Sequence, residues 1–196
     1  MTISTLSAHA LHHTWCAFLL RSLITLLFTL TLILWQPITI SALLYLLVVY
    51  ILIDSAITIA TGLLYRRGDW MIFGIIACLI GSYGLFPPAA PAFFFLALIT
   101  AWTLLRGIFE LSAALKMHEC SRSPIWLSLS ASISILFSLF SIIASPEQAM
   151  SLHWPLLIYL ASIGSIWMCL AFAMRKQDVM DALQLIPIPI SIRKQL

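Results

Sequence analysis

Residues 102–116 read WTLLRGIFELSAALK, an apolar run of membrane-helix character that nevertheless carries Arg106 and Glu110. An ionised side chain near a bilayer centre costs at least ~2.5 kcal/mol, so two in one run need a physical reason. Their spacing supplies one. Four residues is about one helical turn, so both side chains lie on one face and can pair with each other or share an interior partner.

The composition agrees with a membrane setting. The chain is 62% hydrophobic and 9% charged, with a mean hydropathy of +1.08, whereas a soluble domain is ~45–50% apolar and ~25% charged. Too little polar surface is present to coat a water-soluble globule. The net charge of +3 comes mostly from bases in a few short segments, a pattern of membrane orientation and not of nucleic-acid binding. Cys16, Cys78, Cys120 and Cys169 show no C-x-x-C spacing, which supports neither a disulfide framework nor a zinc site. No phosphate loop, H-E-x-x-H, Ser-His-Asp arrangement or heme-type cysteine pair occurs. The expectation is a protein that is not an enzyme, with no catalytic residue, cofactor or metal. The first apolar run is longer than a signal-peptide core of ~7–15 residues and lacks small residues at its end, so it reads as a retained span.

Six apolar runs lie at 15–35, 39–65, 70–86, 91–115, 125–144 and 154–174. Each is near the ~20 residues that cross ~30 Å of hydrocarbon. They form three hairpins, about 15–66, 70–116 and 125–175, and the hairpins are alike. Odd-numbered spans open with Trp15, Trp70 and Trp126 and end at Pro37, Pro87 and Pro146; even-numbered spans end at Arg66, Lys116 and Arg175, in each case 29 residues after the proline. In that frame Tyr45, Phe95 and Trp154 coincide as aromatics, and Gly62, Ser112 and Ala171 as small residues. Such coincidences read as triplication of a helical hairpin. The predicted fold is therefore all-α and polytopic, with six transmembrane helices as three repeated hairpins. The repeats are parallel in orientation because each hairpin enters from the same side. One transmembrane domain, 15–176, lies between a tail at 1–14, whose His9, His12 and His13 read as solvated, and a tail at 177–196 that opens as a helical continuation and ends extended around Pro187 and Pro189.

Beyond the Arg106/Glu110 pair, Arg21 and Asp54 also fall inside apolar spans. At ~1.5 Å per residue, Asp54 lies roughly 18 Å and Arg106 about 15 Å from the end that holds the termini, and Glu110 and Arg21 about 9 Å. Matched depths predict two interhelical ion pairs, Asp54 with Arg106 and Arg21 with Glu110, in one intramembrane charge network. Such a network fixes helix register, or contains a carboxyl at Asp54 or Glu110 that titrates, or has charges that snorkel or face an oligomer interface. The serines at 134, 138, 141 and 145 and the glycines at 74, 81 and 84 read as faces for close helix packing.

These features together resemble the HdeD-like family of bacterial inner-membrane proteins. The likeness is carried by the Trp-opened, Pro-ended odd spans and above all by ITAWTLLRGIFELSAALK at 99–116, with its Arg106-Gly107-Ile108-Phe109-Glu110 core; ILIDSAITIATGLLYRR at 51–67 looks like a weaker copy. The resemblance implies a multi-pass protein of the bacterial cytoplasmic membrane that contributes to acid or envelope stress tolerance, and it carries no catalytic residues across. Two other readings stay open: a small transporter or proton-linked permease using the buried charges, and an assembly or scaffold subunit of a membrane complex. The lipid bilayer is the expected partner, together with either a second copy of the chain or another membrane protein.

Loop charge sets the orientation. Arg66, Arg67, Lys116, Arg122, Arg175, Lys176, Arg193 and Lys194 share the side of the two termini, and the opposite loops hold only Glu147 and His153. Bases concentrate on the cytosolic side, so both termini are predicted to be cytosolic. Reporter fusions after Lys176 and within 87–90 should report opposite sides; identical sidedness would refute six spans.

Overall fold

The computed structural model of the protein describes residues 14–35, 39–64, 66, 68–86, 91–117, 124–149 and 151–184. The expectations for the histidine tail, Arg67, the 87–90 turn, Cys120, Arg122 and residues 185–196 lie outside them. Six helices follow one another: α1 Thr14–Leu34, α2 Ile40–Leu64, α3 Gly68–Tyr83, α4 Pro91–Met117, α5 Pro124–Ile143 and α6 His153–Gln184, with a 3-10 turn at Pro146–Gln148 before the last. Among the described residues there is no strand. All but α3 are long and apolar enough to cross a membrane, and the chain is a multi-pass membrane protein.

Local chemistry marks the helix ends. Pro91 and Pro124 open α4 and α5, and Pro155 sits in the first turn of α6, where a missing N–H breaks no helical bond. Thr39 caps α2, its Oγ1 accepting from the Ala42 N–H at 3.3 Å. Between α2 and α3 the chain reverses through Arg66, which adopts a left-handed φ of 51°. The third helix starts two residues before the predicted span and stops three short of its end. Its 16 residues rise ~24 Å, and Gly84, Leu85 and Phe86 leave it through i→i+3 bonds of 3.0, 3.1 and 3.4 Å. Glycine is a poor helix former, and Phe86 precedes a proline, which disfavours the α region. The sixth helix runs past its apolar stretch at 153–176 to Gln184, over the segment expected to continue as helix.

The even-numbered helices form the inside of the bundle. In their most apolar windows α2, α4 and α6 are 50, 44 and 56% buried, against 33% for α1 and α5. The most extensive packing does not fall within the hairpins that follow one another in sequence. It joins α2 to α3, α4 to α5, and α6 back to α1. Glycine makes each of these approaches close. A Cβ added at Gly74 would lie 3.0 Å from the Ile59 amide nitrogen and 3.2 Å from the Ser55 carbonyl oxygen; one at Gly107, 3.2 Å from both the Ala131 oxygen and the Ile135 nitrogen; and one at Gly164, 2.9 Å from the Leu26 side chain. Lipid tails are as apolar as Leu, so such contacts and interhelical hydrogen bonds decide how the helices associate.

Two apolar cores result. The larger gathers Leu32, Leu44, Leu47 and Ile51, Phe95, Ile99 and Trp102, and Leu156, Leu160, Ile163 and Trp167, and the smaller gathers Phe18, Ala114, Leu127, Leu170 and Ala171 at the end of the bundle where α1 begins. The buried charges lie between them. Gly107→Val should lower the unfolding midpoint in detergent, with an overpacking cost of ~1–3 kcal/mol. Gly68→Ala, where nothing lies within 4 Å of the added carbon, should leave it unchanged.

Candidate functional site

All four intramembrane charges are buried: Arg21 is 4% exposed, Asp54 3%, Arg106 1% and Glu110 4%. They come together, but not in the predicted pairs. Arg21 grips Asp54 with a two-pronged fork, Nε to Oδ1 and Nη2 to Oδ2, both at 2.9 Å. Arg106 instead donates from Nε to Oε1 of Glu110, one turn along its own helix, at 2.9 Å. Counting residues gives the depth of a Cα, not of a charge, and an arginine reaches several ångströms along the membrane normal. The fork geometry of guanidinium and carboxylate and the i,i+4 spacing outweigh equal Cα depth.

Neutral side chains complete the layer. Arg106 Nη1 donates to the Tyr50 hydroxyl at 3.3 Å, Tyr50 meets Thr25 Oγ1 at 2.9 Å, and Thr25 donates to the Arg21 carbonyl at 2.9 Å. Since the Thr25 proton is used on that carbonyl, Tyr50 is the donor to Thr25. The chain of bonds then runs in one direction from Arg106 to the backbone of α1. On the other side Ser130 donates to Glu110 Oε2 and accepts from Trp167 Nε1 at 3.2 Å. The Trp167 indole also carries both cations, with Cζ of Arg21 4.2 Å and of Arg106 4.1 Å from the ring centroid. Desolvated contacts of this kind are each worth ~2 kcal/mol. Five helices, α1, α2, α4, α5 and α6, thus meet in one charge-balanced layer.

Of these residues, sequence reasoning found the four charges and missed Thr25, Tyr50, Ser130 and Trp167. A signal existed. Tyr50 and Tyr159 are 109 residues apart, as are Pro37 and Pro146. The same offset relates Thr25 to Ser134 and Phe28 to Phe137. Each tyrosine bonds the hydroxyl of its set, at 2.9 and 3.2 Å, and stacks on its phenylalanine, with centroids 4.6 and 4.4 Å apart. The predicted serine face of α5 holds as packing at Ser134, Ser138 and Ser141, which are buried, with Ser138 bonding the Thr100 carbonyl of α4 at 3.3 Å; Ser145 lies beyond the helix end at Ile143 and is exposed.

Beside the layer lies a cavity of about 10 Å³ lined by Arg21, Arg106 and Glu110 and by Phe18, Trp70 and Phe109. That volume is at the lower limit for a single water. Among the described residues no group of His, Cys, Asp and Glu could hold a metal ion.

Fold and site define a helical multi-pass membrane protein with a buried, charge-balanced layer. Residues 72–143, from α3 to the end of α5 and including Arg106 and Glu110, match a family described as a short repeat of unknown function (DUF308). No curated protein and no solved structure matches the chain.

Arg21→Leu or Asp54→Leu alone strands a buried charge and should cost on the order of 3–5 kcal/mol, whereas the double variant should be nearly neutral. Thermal unfolding in detergent reads this directly. Arg106→Leu combined with Asp54→Leu should show no such recovery.

Proposed function

We propose that this is a non-enzymatic, HdeD-like protein of the bacterial cytoplasmic membrane, with both termini cytosolic, that contributes to acid or envelope stress tolerance. The observation that carries the reading is the closely packed charge layer. Four ionised groups are matched inside the apolar region, and the cavity beside them is about 10 Å³, too small for a permeant solute of any size. A closely packed, cross-linked layer suits a protein that holds its packing under stress better than a permease, which needs a wide path to its charges. The match at 72–143 covers the Arg106 to Glu110 motif on which the family resemblance rests, and so supports it.

The three hairpins are, on this reading, parallel copies. Moving each hairpin onto the next carries the α2/α3 contact onto α4/α5 and then onto α6/α1, and those are the three most extensive contacts in the bundle. The 109-residue correspondence of Thr25, Phe28 and Tyr50 with Ser134, Phe137 and Tyr159 supports the same relation between the first and third hairpins.

Survival of a deletion strain after acid challenge tests the function. Loss of survival restored by the wild-type gene and by the Arg21→Leu/Asp54→Leu double variant, but not by either single variant, is the expected outcome. Unchanged survival of the deletion strain would sink the reading.

A further inference from the structure

Of the three most extensive helix contacts, two join helices that a short connection already links, α2 to α3 and α4 to α5. The third, between α6 and α1, brings the first and last helices together with no such link. Packing closes this seam over most of its length, with Gly164 against Leu26 and Trp167 edge-on to Phe18. Its end on the side where α1 begins carries charge. Arg175 of α6 lies over the Trp15 ring of α1, with Cζ 5.3 Å from the ring centroid. Lys176 follows it, and both bases are exposed.

Attraction to a π face fixes a guanidinium through its charge and consumes no hydrogen-bond acceptor, so the N–H fork of Arg175 stays available for the two oxygens of a phosphate. Among the described residues no carboxylate pairs with Arg175 or Lys176. Both bases sit where the apolar stretch of α6 ends, at 176, which is the level of lipid headgroups. Toward the bilayer centre the exposed side chains turn apolar on both helices: Leu20 and Leu23 on α1, and Phe172 on α6. Phe172 precedes Arg175 by three residues and Lys176 by four, so it shares their face of the helix. Cations with apolar surface directly beneath them fit an amphiphile and not a soluble anion. We propose that an anionic phospholipid binds across the α1/α6 seam, its phosphate on Arg175 and Lys176 and its acyl chains along Leu20, Leu23 and Phe172. The lipid fastens this seam as a turn of chain fastens the other two contacts.

The inference does not rest on stress tolerance, because its test is made on the purified full-length protein in non-ionic detergent. The unfolding midpoint is titrated with phosphatidylglycerol, with phosphatidylcholine of the same acyl chains, and with inorganic phosphate. Expected are a saturable rise with phosphatidylglycerol, an affinity tenfold or more below it for phosphatidylcholine, and no rise with phosphate. Arg175→Gln/Lys176→Gln should lower the phosphatidylglycerol affinity tenfold or more and leave the lipid-free midpoint unchanged, since both side chains are exposed. Arg66→Gln removes an exposed base from the α2/α3 turn at the same end of the bundle and should leave the affinity unchanged. Trp15→Leu should weaken binding, and Trp15→Phe should preserve it. Equal affinity for the two lipids, or as large a loss in Arg66→Gln as in the double variant, would overturn the site in favour of diffuse attraction to a basic surface. A saturable rise of equal size with inorganic phosphate would overturn the lipid in favour of a soluble anion. Undiminished affinity in Trp15→Leu would overturn the positioning of Arg175 by the ring.

Discussion

Two guanidinium groups inside a hydrocarbon slab constrain everything else in this bundle. Arginine does not lose its proton there, so each cation must be answered by an anion and by hydrogen-bond acceptors drawn from other parts of the chain. Asp54 answers Arg21 completely, with two bonds from a neighbouring helix. Glu110 answers Arg106 only in part, and the remainder falls to Tyr50 and to the face of Trp167. Because the partners come from five helices, satisfying the charges and choosing the helix arrangement are the same act. Breaking one pair leaves a charge with no alternative partner, and removing a whole pair leaves only packing to repair.

The hydrophobic effect cannot do this job in a bilayer, where an apolar side chain gains nothing by leaving lipid for protein. Close backbone approach and polar contacts must supply the selectivity. Gly74, Gly107 and Gly164 provide the approach at the three principal interfaces. Serine and threonine provide polarity without charge. Most donate to a carbonyl one turn back in their own helix, as Thr29, Thr58, Thr103 and Ser141 do, so they can be buried without an orphaned hydroxyl. A few reach across instead: Ser130 to Glu110 and Ser138 to Thr100 join α5 to α4, and Ser134 meets Tyr159 of α6.

Six helices could be read from hydropathy because nothing but a helix satisfies a single segment's backbone in lipid. Their ends were legible where proline or threonine chemistry marks them, as at Pro91, Pro124 and Thr39, and hard to read at Tyr83, where a single glycine is followed by the apolar Leu85 and Phe86 and the local turn bonds reveal the stop. The four charged members of the site stood out by rarity. Their partners did not, because depth along a helix says nothing of helix tilt or side-chain reach, so Arg21 was assigned to Glu110 and not to Asp54. The aromatic members were hidden for another reason. A tyrosine or tryptophan in an apolar run reads as packing until a cation is found against it, and Trp167 is 113 residues away from Asp54 in the chain. Only the offset that relates Tyr50 to Tyr159 would have singled out a tyrosine, and it says nothing of Trp167.

The three hairpins do not contribute alike, and the difference has a physical logic. The first supplies the Arg21–Asp54 pair and the second the Arg106–Glu110 pair; the third supplies no charge. The offset that matches Tyr50 to Tyr159 sets Ser130 opposite Arg21, so the position that holds a cation in one hairpin holds a hydroxyl in the other. A third ion pair in the same layer would add two more charges to desolvate and would crowd like charges around one indole. A serine and a tryptophan at that place do more with less. Ser130 occupies the second oxygen of Glu110 that Arg106 leaves free, and Trp167 offers one π surface to two cations that would otherwise repel across the same space. The neutral hairpin therefore supports the two charged ones side by side, since the ring of Trp167 attracts both cations and brings no net charge of its own.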